Sequence, residues 1–172
     1  ENLNLLDIDD INSQQRRDKI QQSIDAQRDH FFMLGMDLGV CYDGALIQTC
    51  PEDAPENNWQ ASEYNPSSAA GNRLPHCWLQ DGDTRLSTHD IVASVKLTLL
   101  TTSDGYQQWA QALADTGTDD IEIQAIGNAG LAPADDGWDT LIGMKQHGAL
   151  LIRPDRHIAF GTDHFSENTC KD

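Results

Sequence analysis

Residues 149–160 read Ala149-Leu150-Leu151-Ile152-Arg153-Pro154-Asp155-Arg156-His157-Ile158-Ala159-Phe160, two apolar runs around a polar tetrapeptide. Proline at the second position of that tetrapeptide presets φ for a turn, and aspartate suits the third. The spacing therefore predicts an antiparallel β-hairpin. Working back along the chain, further apolar runs fall at His76–Leu79, Val95–Leu100 and Ile121–Ile126. Between the second and third, Tyr106, Trp109, Ala110 and Leu113 share one face of a helix over Gly105–Ala114, and Trp138–Met144 forms a second helical stretch before the hairpin. Strands that alternate with helices predict a mixed or parallel sheet covered on its faces.

A βαβ half, a βα crossover and a terminal hairpin are the order of elements in a thioredoxin-like α/β domain, with a central mixed sheet and flanking helices. Ahead of it, Ile20, Ile24, Phe31, Leu34 and Leu38 recur at spacings of three, four and seven, while Gln14, Arg16, Arg17, Lys19, Gln22 and Arg28 fill the other face. This predicts a long amphipathic linker helix from Ser13, capped by Asn12 or Ser13 and stopped at Gly39. Gly35 inside the pattern weakens its last turn or admits another backbone. Val40-Cys41-Tyr42, Asp43-Gly44 and Ala45-Leu46-Ile47 read as a short hairpin. Cys50–Arg73 holds three prolines and little periodicity, so it is expected to run irregularly over a surface. The expected organisation is a connecting helix and hairpin over 1–50, an irregular linker over 51–73 and the thioredoxin-like domain over 74–172.

The 172 residues carry 11 Lys and Arg against 28 Asp and Glu, a net charge of -17. Such a surface repels phosphate backbones and anionic lipid headgroups, which argues against nucleic acid and membranes as partners. No apolar run approaches the ~20 residues that a spanning helix requires. Glu1-Asn2-Leu3-Asn4 has no basic leader, and a start at Glu1 rather than methionine is read as a sign that more chain lies upstream. Cys41, Cys50, Cys77 and Cys170 contain no Cys-x-x-Cys pair, so free thiols in a reducing cytoplasm are the simplest reading. Two disulfides stay open as the alternative.

Four stretches together resemble one family. Gly71-Asn72-Arg73-Leu74-Pro75-His76-Cys77-Trp78-Leu79 is similar to the Gly-x-Arg-x-Pro-His-x-Trp-Leu signature that opens the third domain of class A flavin monooxygenases acting on phenols. Leu34-Gly35-Met36-Asp37-Leu38-Gly39, with Tyr42 and Gly44-Ala45, resembles the end of that family's connecting helix. Leu86-Ser87-Thr88-His89-Asp90 resembles its Ser-Thr-x-Asp segment, and Gly148–Asp155 its closing hairpin. The resemblance spans Ser13 to Gly161 and is nearest to the phenol and chlorophenol hydroxylases. Arg156 stands where a turn glycine is common, and Gly161 where the family often has arginine.

The resemblance implies a parent enzyme in which NADPH reduces FAD, oxygen adds to the reduced flavin, and a phenol is hydroxylated beside its existing hydroxyl. This chain has no Gly-x-Gly-x-x-Gly turn for a dinucleotide, so no catalytic or cofactor-binding residue is carried onto it. Thiol redox chemistry would need paired cysteines after the first strand, and Leu79-Gln80-Asp81-Gly82 has none. Cys77 reads as a buried, inert thiol. The histidines show no metal-ligand spacing, and a Ser87, His89, Asp90 triad lacks the strained elbow it would need. What remains is interaction. Phe31, Phe32 and Met33 put three adjacent apolar groups on one helix and are expected to dock on the flavin and substrate part or on a second subunit. Arg73, His76 and Trp78 are the other docking residues expected, the alternative being that Trp78 is core and Arg73 a solvated turn residue. The competing function class is a free-standing thioredoxin-like binding or assembly module without redox activity.

Overall fold

The computed structural model describes residues 11–45, 47, 60–127 and 130–166. The chain divides into two compact units, one of residues 1–38 and 59–64 and the other of residues 39–58 and 65–172.

In the first unit, α1 spans Ile11–Phe31 and α2 spans Leu34–Leu38. The single helix expected from Ser13 to Leu38 is thus two, interrupted at Phe32 and Met33. Helix α1 starts at Ile11, so Asn12 and Ser13 lie inside its first turn rather than ahead of it. Ile20 and Ile24 are exposed among polar neighbours, and the expected apolar face has too few members to form a stripe. Exposed pairs such as Gln14 with Asp18 and Gln21 with Asp25, one turn apart, add only tenths of a kcal/mol each. Gly35 does admit a backbone: a Cβ there would lie 2.0 Å from the Gln60 carbonyl oxygen and 2.5 Å from that of Glu63. The Met36 amide donates to Ala61 O at 3.2 Å in the same contact. Gly39 follows the end of α2 but is not among the glycines with positive φ.

The second unit contains strands β1 (Trp78–Asp81), β2 (Thr84–Ser87), β3 (Leu97–Thr102), β4 (Ile121–Ile126), β5 (Ala132–Pro133), β6 (Ala149–Ile152) and β7 (Ile158–Thr162). Its helices are α3 (Tyr106–Thr116) and α4 (Gly137–Leu141). Four strands form a mixed sheet in the order β4-β3-β6-β7, with β3 and β4 parallel and the other pairs antiparallel. This is the thioredoxin-like sheet. Strands β2, β1 and β5 form a separate antiparallel sheet, with Pro133 on an edge strand where a missing N–H costs nothing.

Strand β3 is paired on both sides and buried on both faces, which explains its composition. Leu100 belongs to one buried cluster with Leu74, Leu79, Ile126, Trp138, Ile152 and Ile158, and Leu99 to another with Trp109 and Ala149. The fully buried Thr98 and Thr101 satisfy their hydroxyls locally: Thr98 Oγ1 accepts from the Ala93 amide, and Thr101 Oγ1 donates to Gly148 O. Leu79 joins the same cluster as Leu100, so the small sheet covers the face of the large one that α3 does not.

The expected strands and helices are present, with three corrections. The run His76–Leu79 becomes β1 of the small sheet, so the first strand of the thioredoxin-like unit is β3, and the position following it is Ser103-Asp104-Gly105 rather than Leu79–Gly82. No cysteine stands there either. Val40–Ile47 does not form a hairpin among the described residues, Leu46 lying outside them. Instead Tyr42 donates its amide to Gly71 O at 2.9 Å, and the Ile47 amide closes a turn on Gly44 O. Finally, the end of the stretch expected to cross a surface is integral to the unit. Ala70, Gly71, Leu74 and Pro75 are buried, Gly71 donates to Ile158 O, Leu74 donates to Arg156 O, and Arg73 pairs with His157 across an antiparallel bridge.

Candidate docking site

The two motif stretches of the second unit meet around Thr88, which is fully buried. Its hydroxyl donates to Pro75 O at 2.7 Å and accepts from the Cys77 amide at 3.1 Å, while its own amide donates to Cys77 O. Asp90 reaches back to accept from the Ser87 amide at 2.8 Å, and this bond, with the Ser87 side chain, holds its carboxyl below the usual range. Ser87, His89 and Asp90 therefore form a turn and not a catalytic triad. Gly71 has φ of 91°, and a Cβ there would lie 2.4 Å from Tyr42 O. The Tyr42 ring in turn packs edge-on against His157 at 4.6 Å, with the Arg153 guanidinium 5.4 Å from its centroid.

Locking the backbone this way turns alternate side chains of the signature outward. His76 and Trp78 are exposed, their rings edge-to-face at 4.7 Å, and Arg85 from β2 lies over the indole at 4.3 Å. His76 and His89 are 6.0 Å apart at their ring centres. His89 Nε2 is 2.8 Å from Leu74 O, and Arg156 Nε donates to the His89 carbonyl at 3.3 Å. Burial lowers the His89 pKa, opposed by the Leu74 carbonyl and assisted by Arg73, Arg156 and His76. Arg73 is half-buried and close enough to act on His89. Of the residues expected to dock, Arg73, His76 and Trp78 are thus brought together. Arg85, His89 and Arg156 complete the row. His89 was legible as the variable position of its motif, whereas nothing in the spacing marks Arg85.

In the first unit, Phe31 is 77% exposed and Phe32 58%, with Met33 half-buried and Leu34 and Met36 also exposed. The break between α1 and α2 therefore presents apolar side chains to solvent.

Cys77 is buried, and burial together with Asp135 pushes its thiol up to about 11, which leaves it inert at neutral pH. Among the described residues, no three His, Cys, Asp or Glu side chains gather as a metal site, and no helix is long and apolar enough to cross a membrane.

The C-terminal domain model of the aromatic-ring hydroxylases matches residues 67–171. The chain is 30% identical over 152 residues to phenol 2-monooxygenase of Pseudomonas sp. (strain EST1001), covering 84% of this chain and 24% of that protein. It is 30% identical over 131 residues to tetracenomycin A2 monooxygenase-dioxygenase of Streptomyces glaucescens, covering 73% of this chain and 22% of that one. The crystal structure of the flavin-dependent monooxygenase PieE in complex with FAD and substrate superposes with a TM-score of 0.83 at 28% identity, over 98% of this chain and 30% of PieE. The chain spans about a quarter of the length of the curated relatives it matches. With the signature and the thioredoxin-like sheet both falling within the matched residues 67–171, the chain belongs to the aromatic-ring hydroxylase C-terminal domain family.

Proposed function

We propose that this chain is the C-terminal, non-catalytic portion of a cytoplasmic NADPH- and FAD-dependent phenol hydroxylase, with chlorophenols among its ring substrates, and that it docks on the flavin and substrate part of the same protein or on a second subunit. The observation that carries the reading is the family match at a quarter of the relatives' length. The exposed Phe31 and Phe32 support it, since burying a phenylalanine side chain is worth ~1.5–3 kcal/mol and both rings are mostly open to water.

In such an enzyme a bound FAD would supply the redox chemistry of ring hydroxylation, with NADPH as reductant and dioxygen as oxidant. The residues present here do not suit its pyrophosphate. A phosphate would be expected at the start of α3, beyond the carboxyl end of the parallel strands. That place holds the Asp104 carboxylate, bonded to Gln146 Nε2 at 3.0 Å, and the Cβ position of Gly105 lies 2.7 Å from Thr101 Oγ1 and 3.3 Å from the His147 Cα. This supports the reading that the flavin site lies in the rest of the parent protein.

The docking claim is tested in the native gene product with Phe31→Ser and Phe32→Ser. Limited proteolysis should release this region faster in both variants while the urea midpoint of the second unit stays unchanged. Unaltered proteolysis in both would refute docking through this face.

A further inference from the structure

The chain is strongly acidic, yet three of its four arginines beyond residue 39, namely Arg73, Arg85 and Arg156, lie on or beside the row of residues that crosses the signature, while Arg153 packs on Tyr42. The row runs Arg85, Trp78, His76 and His89 through separations of 4.3, 4.7 and 6.0 Å, with Arg156 Nε 3.3 Å from the His89 carbonyl oxygen and Arg73 alongside His89. Two carboxylates beside it are engaged by the backbone: Asp90 accepts from the Ser87 amide, and Asp135 accepts from the Gly137 amide at 3.0 Å while its other oxygen is 4.0 Å from Arg85. The Arg73 guanidinium has no carboxylate partner among the described residues. Arg153 is paired with Asp155 and Arg85 lies 4.0 Å from Asp135, so Arg73 and Arg156 are the two of these guanidiniums with no carboxylate pairing among the described residues.

From this we infer that the Arg73–Trp78–Arg85 face recognises an acidic, extended polypeptide segment carrying carboxylates on alternate residues. This rests on the reading of Arg73, His76 and Trp78 as docking residues and names the chemistry of what they receive. Guanidinium groups pair with carboxylates through two parallel hydrogen bonds, and the exposed Trp78, with Arg85 over its ring, adds apolar contact beside them. Beyond about 10 Å, the repulsion from the remaining acidic surface is screened at ordinary ionic strength, so a short acidic segment is tolerated where a long polyanion is not. The same row of a second copy is a poor occupant, since a two-fold contact centred here would oppose like charges.

The probe is a blocked Gly-Glu-Gly-Glu-Gly peptide, titrated into the 172-residue chain while the indole N–H resonance of Trp78 is followed, with the lysine counterpart and inorganic phosphate as controls. The glutamate peptide should shift that resonance saturably at low salt and lose its effect at high salt. Arg85→Gln and Arg73→Gln should each weaken binding about threefold. Arg85 is exposed, and its side chain meets Trp78 and Asp135 at the surface, so its replacement leaves the fold intact even where that of Arg73 does not. An equal response to phosphate would overturn the inference in favour of a small-anion site, and an equal response to the lysine peptide, or none to either peptide, would overturn it outright. Trp78→Ala in the native gene product separates the two levels. If it speeds proteolytic release although the glutamate peptide fails to bind, docking stands and carboxylate recognition falls; if it changes nothing, both fall.

Discussion

Arg156 holds a left-handed backbone, with φ of 69°, at the hairpin position where the resembling family commonly has glycine. Its amide closes the turn on Arg153 O at 2.8 Å, and the register of β6 and β7 shifts next to it, between Leu151 and Ile152. For an L-residue this conformation costs ~1–2 kcal/mol. Two features set against that cost also involve Arg156: its carbonyl accepts from the Leu74 amide, and its guanidinium donates to His89 O. Comparing Arg156→Ala with Arg156→Gly separates the terms, because both lose the guanidinium and only alanine keeps the backbone strain. Glycine gives back ~0.5–1 kcal/mol through its freer unfolded chain. The net expectation is that the glycine variant is more stable than the alanine variant by ~0.5–1 kcal/mol. That amounts to a difference of about 1–3 °C in Tm for a protein of this size. Alanine alone should fall below the parent by ~0.5–1 kcal/mol, the worth of one modest hydrogen bond. Urea unfolding followed by near-UV circular dichroism, with m unchanged between variants, measures both. An alanine variant as stable as the glycine variant would refute the assignment of strain to Arg156.

Further outcomes follow from the same contacts. Gly71→Ala should destabilise the second unit by ~1–3 kcal/mol in urea, because its φ is positive and the new Cβ meets the Tyr42 carbonyl. Thr88→Val keeps the volume but strands the Pro75 carbonyl and the Cys77 amide, so a loss of ~2–4 kcal/mol is expected from the same measurement. Cys77, with its thiol raised to about 11, should be alkylated by iodoacetamide at pH 8 only at the rate set by about one thiolate in a thousand, read by peptide mass mapping against the exposed Cys41. Burial lowers the His89 pKa from 6.5 in the folded state, so between that lowered value and 6.5 the unfolded chain binds more protons. Stability should therefore rise with pH across that window and fall as pH drops through it, and His89→Gln should flatten the slope measured by urea titration at several pH values.

The strands and helices of the second unit were legible because their apolar runs are short, regular and bounded by turn residues. Ile121–Ile126 and Ala149–Ile152 form strands over the same residues that their sequence marks. Sequence could not show that Trp78 and Leu79 belong to a second sheet, since their partners Ser87 and Leu86 sit in a strand of only four residues without alternation. Strand β5 is two residues long and carries a proline, which gives no local signal at all. The long helix was found from Ile20 and Ile24, yet both are exposed, and its end was set by Phe31 rather than Gly39 because periodicity does not register a two-residue break. At the candidate site, Arg73, His76 and Trp78 stood out through their motif. Arg85 reaches Trp78 only across the β1–β2 pairing, which no spacing along the chain encodes.

The central claim, that this region docks onto a flavin enzyme without itself holding the flavin, is tested most directly by flavin content. Purified 172-residue chain and the native gene product are each incubated with FAD, desalted and scanned in the visible range, alongside the intact mass of the native product. The account predicts no retained flavin on the chain, and a native product about four times longer that keeps FAD, in line with the relatives' lengths. Flavin retained by the chain, or a native product no larger than it, would contradict the account.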